Sequence, residues 1–291
     1  MGFSLTKELY KKYGMSNVIS SDIQDHFDVP NKLEGKFVKL DVTDKKSFND
    51  IIASYQINKI IHLANIPPLD CEKDTEVATK VNIEGVHNAL DISREHKISI
   101  FIPSSMEIYN GIIYDENSPV NPQNLYGITK LYMEKLGLYY FEKFGVDFRC
   151  LRYPIILSNS DEFGSFPYDA INSAIKGQTY NITNDLNMKL PFLHFSDCVR
   201  STFQFIDSHH SLLKRRIYNI GGMSFTCASY IKELKKAIKF NATCEIDPIK
   251  NNYLKNFPAE VSDRNAREDW GWQPEITKPK KLVENILMSM F

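Results

Sequence analysis

The chain has 291 residues, 43% hydrophobic and 24% charged, an ordinary globular composition that excludes a disordered, collagen-like or miniature disulfide-stapled protein. Its 35 basic residues nearly match its 36 acidic ones, so a net charge of −1 gives no electrostatic ground for nucleic-acid binding. The five cysteines are scattered without a C-x-x-C pair, and no apolar run approaches the roughly 18 residues a membrane helix needs, so no metal, disulfide framework or membrane partner is expected.

In chain order, an amphipathic helix is expected near 3–13, followed by strands at 17–21 and 36–41 and a helix at 44–55. A strand at 58–64, a helix at 74–95 and a strand at 98–104 come next, then a helix at 125–145 and a strand at 147–153. Short apolar strands alternating with helices predict βαβ units and a parallel α/β sheet over residues 1–154. Such sheets bind ligands beyond the carboxyl ends of their strands. From 155 the pattern loosens around Pro154, Gly164, Pro167, Gly177 and Pro191. Strand-like 217–220 and 243–247 flank a helix at 227–239, and a last helix is expected at 279–290. Residues 155–291 therefore read mostly as a smaller α+β lobe, with some segments returning to the first domain.

Asp22 closes the strand-like segment at 17–21, with Ile23 beside it. In a dinucleotide site an acidic residue there accepts hydrogen bonds from the adenosine ribose and repels a 2′-phosphate, which favours NAD over NADP. A turn or cap aspartate is the plainer alternative. Asp41 and Val42 end the next strand and suit an adenine amine and ring, while Thr43 or Asp44 could equally cap the following helix. Ala64 offers a small side chain after the 58–64 strand. Gly2 opens the first helix and sits where the third glycine of a G-x-G-x-x-G loop would allow close helix–strand packing. The first strand and first two glycines of such a loop are absent from the chain, so it reads as N-terminally truncated. A central strand's unmade ladder, at about 1–3 kcal/mol for each buried unpaired group, would rival a typical stability of about 5–15 kcal/mol.

Tyr126 and Lys130 form a Y-x-x-x-K pair on one face of the 125–145 helix. A nearby ammonium favours the phenolate and suits a tyrosine to general-base work. The same spacing recurs at Tyr55/Lys59 and Tyr139/Lys143, but only Tyr126 follows a strand ending in Ser104 and Ser105, whose hydroxyls can orient a substrate oxygen. Strand-end turn chemistry is the alternative for both serines. Asn82, midway along the 74–95 helix, is either a surface residue or a link to a neighbouring strand. Ile156, after Pro154, is placed to abut a nicotinamide.

Together these residues resemble the extended short-chain dehydrogenase/reductase superfamily, the NAD-dependent epimerase/dehydratase group, and within it the short-chain type L-threonine 3-dehydrogenases. The resemblance is carried by NVISSDI (17–23), VNIEGVHNALDIS (81–93), LYGITK (125–130), GVDFRCLRYP (145–154), FSDCVRST (195–202), YNIGGMSFT (218–226) and SDRNAREDWGWQP (262–274). It implies a Rossmann-type doubly wound parallel sheet with a small C-terminal α+β substrate lobe. The implied reaction is oxidation of the threonine β-hydroxyl by NAD to 2-amino-3-ketobutyrate, with Tyr126 taking the proton, Ser105 orienting the oxygen and Lys130 tuning Tyr126 and holding the nicotinamide ribose. Ser104, Ser105, Tyr126, Phe166 and Phe257 are the implied substrate contacts. A homodimer through the 74–95 and 125–145 helices and a mitochondrial location are implied as well.

The chain departs from the family pattern where threonine is held. Pro68 replaces a serine, Phe163-Gly164-Ser165-Phe166 replaces Thr-Thr-Asp-Tyr, and Phe257 replaces a tryptophan before Pro258. Losing a hydroxyl or carboxylate costs much of the affinity for a polar amino acid. An inactive descendant and a nucleotide-sugar epimerase or dehydratase therefore stand as alternatives.

Overall fold

The computed structural model describes residues 1–25, 34–111, 113–158 and 165–290, without the side chains of Ile113 and Tyr114. Its elements run α1 (Gly2–Tyr13), β1 (Ile19–Asp22), β2 (Lys36–Lys39), α2 (Lys45–Ser54), β3 (Lys59–Ile61), α3 (Pro68–Lys73) and α4 (Thr75–Thr79). A π-helical stretch (Lys80–Gly85) leads into α5 (Val86–His96), followed by β4 (Ser99–Phe101), β5 (Ser104–Ser105), β6 (Ile113–Tyr114), α6 (Leu125–Phe144), β7 (Phe148–Tyr153) and β8 (Ile155–Leu157). Then come α7 (Phe166–Ile175), β9 (Thr179–Ile182), β10 (Lys189–His194), α8 (Phe195–Asp207), β11 (Ile217–Asn219), β12 (Met223–Thr226) and α9 (Cys227–Ala237). The chain ends through β13 (Asn241–Cys244), α10 (Pro248–Leu254), β14 (Glu260–Val261), α11 (Arg264–Trp270) and α12 (Pro279–Met290).

These elements form two compact units, Met1–Ser104 with Asn124–Cys150, and Ser105–Gln123 with Leu151–Phe291. The division is interleaved along the chain. Residues 105–123 join the second unit, and the later crossing falls inside β7.

In the first unit β3, β4 and the start of β7 pair in parallel, with Ile60 opposite Ile100 and Ile100 opposite Phe148. All six residues of β7 are buried, the mark of a strand covered on both faces rather than one that alternates. β1 and β2 pair in parallel as a separate two-stranded sheet, Ile19 opposite Lys36. Among the described residues no strand joins β1 to β3. The helices have local causes. Asp44 caps α2 by accepting from the Ser47 amide at 3.0 Å, and Gly145, with φ of 71°, lets α6 turn out of its last turn. Gly137 of α6 lies so close to Phe148 that a Cβ would fall 2.3 Å from its ring, so helix and strand approach at a distance only glycine permits.

The second unit is built on a mixed sheet with β10 at its centre, parallel to β8 and antiparallel to β12. Its core gathers Phe166, Phe192, Phe225, Tyr230 and Leu282. The buried Asp197 of α8 receives the amides of Glu275 and Ile276, each at 3.0 Å, and ties the segment before α12 to α8.

Candidate active site

The reacting end of the first unit is set by the start of α6. Asn124 accepts from the Gly127 amide at 2.7 Å, and Glu72 accepts from the Leu125 amide at 3.1 Å. Tyr126 is then the second helical residue and half-buried, with Lys130 one turn on. The Lys130 ammonium lies 5.3 Å from the centre of the Tyr126 ring and donates to the Pro103 carbonyl at 3.0 Å. Lys130 is 7% exposed, and an ammonium so far from water needs fixed acceptors. The strand end at 103 supplies one and fixes the charge beside the phenol.

The two serines differ. The Ser104 hydroxyl donates to Glu134 Oε1 of α6 at 2.6 Å, so its one proton is committed inside the protein instead of being offered to a substrate. Ser105 Oγ accepts from the Glu107 amide at 3.2 Å, a strand-end turn contact that leaves its proton to donate elsewhere. Neither Y-x-x-x-K alternative forms such a site. Tyr139 and Lys143 are exposed on α6, and Tyr55 ends α2 with its ring 5.0 Å from the Lys36 ammonium while Lys59 lies in β3.

His62, just past β3, is buried with Nε2 unpartnered. Burial and then the Lys130 charge pull its pKa down to about 4. The imidazole is therefore neutral at physiological pH. Asn82, in the π-helical stretch, accepts from the Ile66 amide at 2.8 Å and donates to the Ile66 carbonyl at 3.1 Å and to Thr129 Oγ1 at 3.4 Å. It is thus the link to the β3 strand end, not a surface residue, and it joins that end to α6.

The other strand ends of this unit carry acceptors and small groups that suit a nucleotide. Asp22 is exposed at the end of β1, and its Oδ1 takes the Gln24 amide at 3.0 Å, with Ile23 exposed next to it. Asp41 is also exposed and turns the chain by accepting from the Thr43 amide at 2.9 Å. Asp44, not Asp41, is the cap of α2. Val42 is held from two sides: its carbonyl accepts from Asn88 at 3.0 Å, and a Cβ on Gly85 would fall 2.7 Å from its methyl. Ala64 is exposed. Gly2 begins α1 with no side-chain cap, which leaves first-turn amides suited to an anion. A Cβ there would meet Leu63 at an ordinary 3.6 Å, so Gly2 is not required for tight packing, contrary to the expectation. Paired carboxylates for hydroxyl and amine donors, a clamped valine and an open helix start together fit an adenine dinucleotide.

In the second unit Ile156 is half-buried in β8. The Phe166 ring lies in the core, 5.3 Å from Tyr230, so its observed role is packing. Phe257 is half-buried against Tyr253, 5.6 Å between rings. Phe163 and Gly164 lie outside the described residues. Pro68, where a serine was expected by resemblance, starts α3.

Glu134, His62 and the Gly85–Asn88 clamp on Val42 were not singled out by sequence. Glu134 carries a signal after the fact, since it falls one turn beyond Lys130. His62 interrupts the apolar run from Ile60 to Ala64.

Residues 1–221 match the NAD-dependent epimerase/dehydratase family. The chain belongs to that family. The bovine (Bos taurus) mitochondrial L-threonine 3-dehydrogenase is 31% identical over 299 residues, covering 99% of this chain and 79% of that protein. The structure of the Clostridium difficile L-threonine dehydrogenase superposes with a TM-score of 0.93 at 28% identity, covering 99% of this chain and 93% of that one. A metagenomic enzyme described as a monomeric L-threonine 3-dehydrogenase gives 0.90 at 28% identity, covering 99% and 95%. This epimerase/dehydratase-family protein is thus an enzyme of the dehydrogenase type on a Rossmann-like α/β fold. Among its described residues no helix is long and apolar enough to cross a membrane.

The neutral, buried His62 makes stability depend on pH. Its pKa of about 4 lies below the 6.5 of an exposed imidazole, so the unfolded chain binds the extra proton between these values. This contribution is complete above about pH 6.5 and falls by about 3 kcal/mol as pH drops toward 4. In urea unfolding at pH 7 and pH 4.5, His62→Asn should lose about 2–3 kcal/mol less than the wild type between the two pH values. An equal loss would show that His62 is not the group responsible.

Proposed function

We propose that the protein is an NAD-dependent dehydrogenase that oxidises the β-hydroxyl of L-threonine, or of a similar small hydroxy amino acid, to the 2-amino-3-keto acid. The observation that carries this reading is the Tyr126–Lys130 pair with its ammonium fixed by Pro103. The similarity to threonine dehydrogenases supports the choice of substrate. Asp22, Ile23, Asp41, Val42 and Ala64 would hold the adenosine side of NAD, the start of α1 at Gly2 its phosphates, and Tyr126, Lys130 and Ile156 its nicotinamide side. When bound, the nicotinamide supplies the two-electron acceptor.

The chain's own part is proton handling. Lys130 stabilises the Tyr126 phenolate by charge, and the phenolate takes the proton of the substrate hydroxyl. Ser105, whose oxygen is engaged by the Glu107 amide, has its proton available for a substrate oxygen. Phe257 would contribute apolar surface.

A second reading, a family member with weak or no activity on threonine, is favoured by Pro68 at the start of α3, which offers neither the hydroxyl nor the amide of a serine. Location in mitochondria is proposed on the same similarity, since the bovine relative is mitochondrial by name.

A homodimer is proposed through the helices 74–95 and 125–145. Ile128, Tyr132 and Tyr139 of α6 and Val77 of α4 are large apolar side chains left 51%, 39%, 52% and 42% exposed. Exposed apolar clusters of this kind mark association surfaces.

Three measurements test these readings. Tyr126→Phe should lower kcat for threonine oxidation by about 10²–10⁴-fold while NAD affinity by calorimetry stays within about threefold; undiminished turnover removes Tyr126 as the base. Asp22→Ala should weaken NAD by about tenfold with little change for NADP, and an unaltered preference would remove the ribose role. Light scattering should give twice the 33.6 kDa chain mass, and Ile128→Asp should return it to one chain; a monomeric wild type ends the dimer reading.

A further inference from the structure

Tyr126, Lys130 and Glu134 follow one another at four-residue steps along α6 and share one helix face. Glu134 is 1% exposed, and its Oε1 accepts from Ser104 at 2.6 Å. A carboxylate so thoroughly removed from water requires donors and a cation close by. Ser104 is the donor, and Lys130 stands one turn earlier on the same face. The two adjacent residues past β4 therefore hold both charges. The Pro103 carbonyl takes the ammonium and the Ser104 hydroxyl takes the carboxylate.

Other titratable groups on the surrounding elements are engaged differently. His62, beyond β3, is neutral. In α3, Cys71 donates to the Ile66 carbonyl and Glu72 accepts the Leu125 amide. Glu76 of α4 and Glu84 of the π-helical stretch are exposed, and Asp91 of α5 binds Tyr140 near the far end of α6.

We propose that Glu134 is a positioning residue that acts through Lys130: held by Ser104, its negative charge offsets part of the ammonium and thereby sets how strongly Lys130 favours the Tyr126 phenolate. The inference rests on the reading of Tyr126 as the base. It adds that the strength of this base is set from two turns away by a group that touches neither substrate nor cofactor.

The test is an ultraviolet titration of tyrosinate in the protein alone, taking each variant minus its Tyr126→Phe counterpart so that only Tyr126 is read. Glu134→Gln keeps an oxygen for Ser104 and removes the charge. It should move the Tyr126 ionisation down by about 1 pH unit, because the ammonium is then less opposed. Glu134→Asp, which keeps the charge, should shift it less. Ser104→Ala should move it in the same direction as Glu134→Gln, since the hydroxyl that holds the Glu134 carboxylate in place is then gone. Combining Ser104→Ala with Glu134→Gln should add nothing further. An unchanged or upward shift in folded Glu134→Gln overturns the proposal. If that variant does not fold, the Ser104→Ala titration decides in the same way. Failure of the base assignment is seen separately, as undiminished turnover in Tyr126→Phe, because the titration needs no turnover.

Discussion

The reacting end of the first unit is organised around the buried charge of Lys130. An ammonium that is 7% exposed cannot be left to find water, and its neighbours are arranged accordingly. The strand end at Pro103 turns a carbonyl toward it, the imidazole past β3 gives up its proton beside it, and a carboxylate stands one turn along the same helix. The caps at Asn124 and Glu72 set where α6 starts and therefore where Lys130 falls. The glycine at 137 then lets the helix lie on β7 closely enough to close the layer. Each of these features has its own local cause, and together they keep one charge within reach of one phenol.

Much of the first half was legible in the sequence because its strands and helices obey simple rules. The helix expected at 125–145 is found at Leu125–Phe144, and the strand expected at 147–153 at Phe148–Tyr153. The Y-x-x-x-K pair that matters was separable from its two copies by the serines that precede it. The second half was harder to read for reasons visible in the residues. β10 carries Pro191, and a proline argues against a central strand, yet β10 is the middle of its sheet with Pro191 opposite Ser224. β8 and β11 are three residues long, below what periodicity can show. What sequence could not give was the partner of each polar group. Ser104 and Ser105 are neighbours of one type, and only the fold gives one to a carboxylate and the other to an amide.

The three positions at which the resemblance to threonine dehydrogenases breaks down, Pro68, Phe166 and Phe257, carry no hydrogen-bonding side chain. Pro68 starts α3, Phe257 packs half-buried against Tyr253, and Phe166 lies in the packed interior.

The interleaving of the two units bears on how such a chain can vary. Its backbone passes from one to the other after residues 104, 123 and 150. Neither unit is a single contiguous stretch, so neither can be copied, exchanged or appended by joining one piece of gene to another. Recombination at any point between 105 and 150 divides the coding region of at least one unit. Substitution in place is consequently the open route to change, since it alone leaves the interleaved path of the backbone intact.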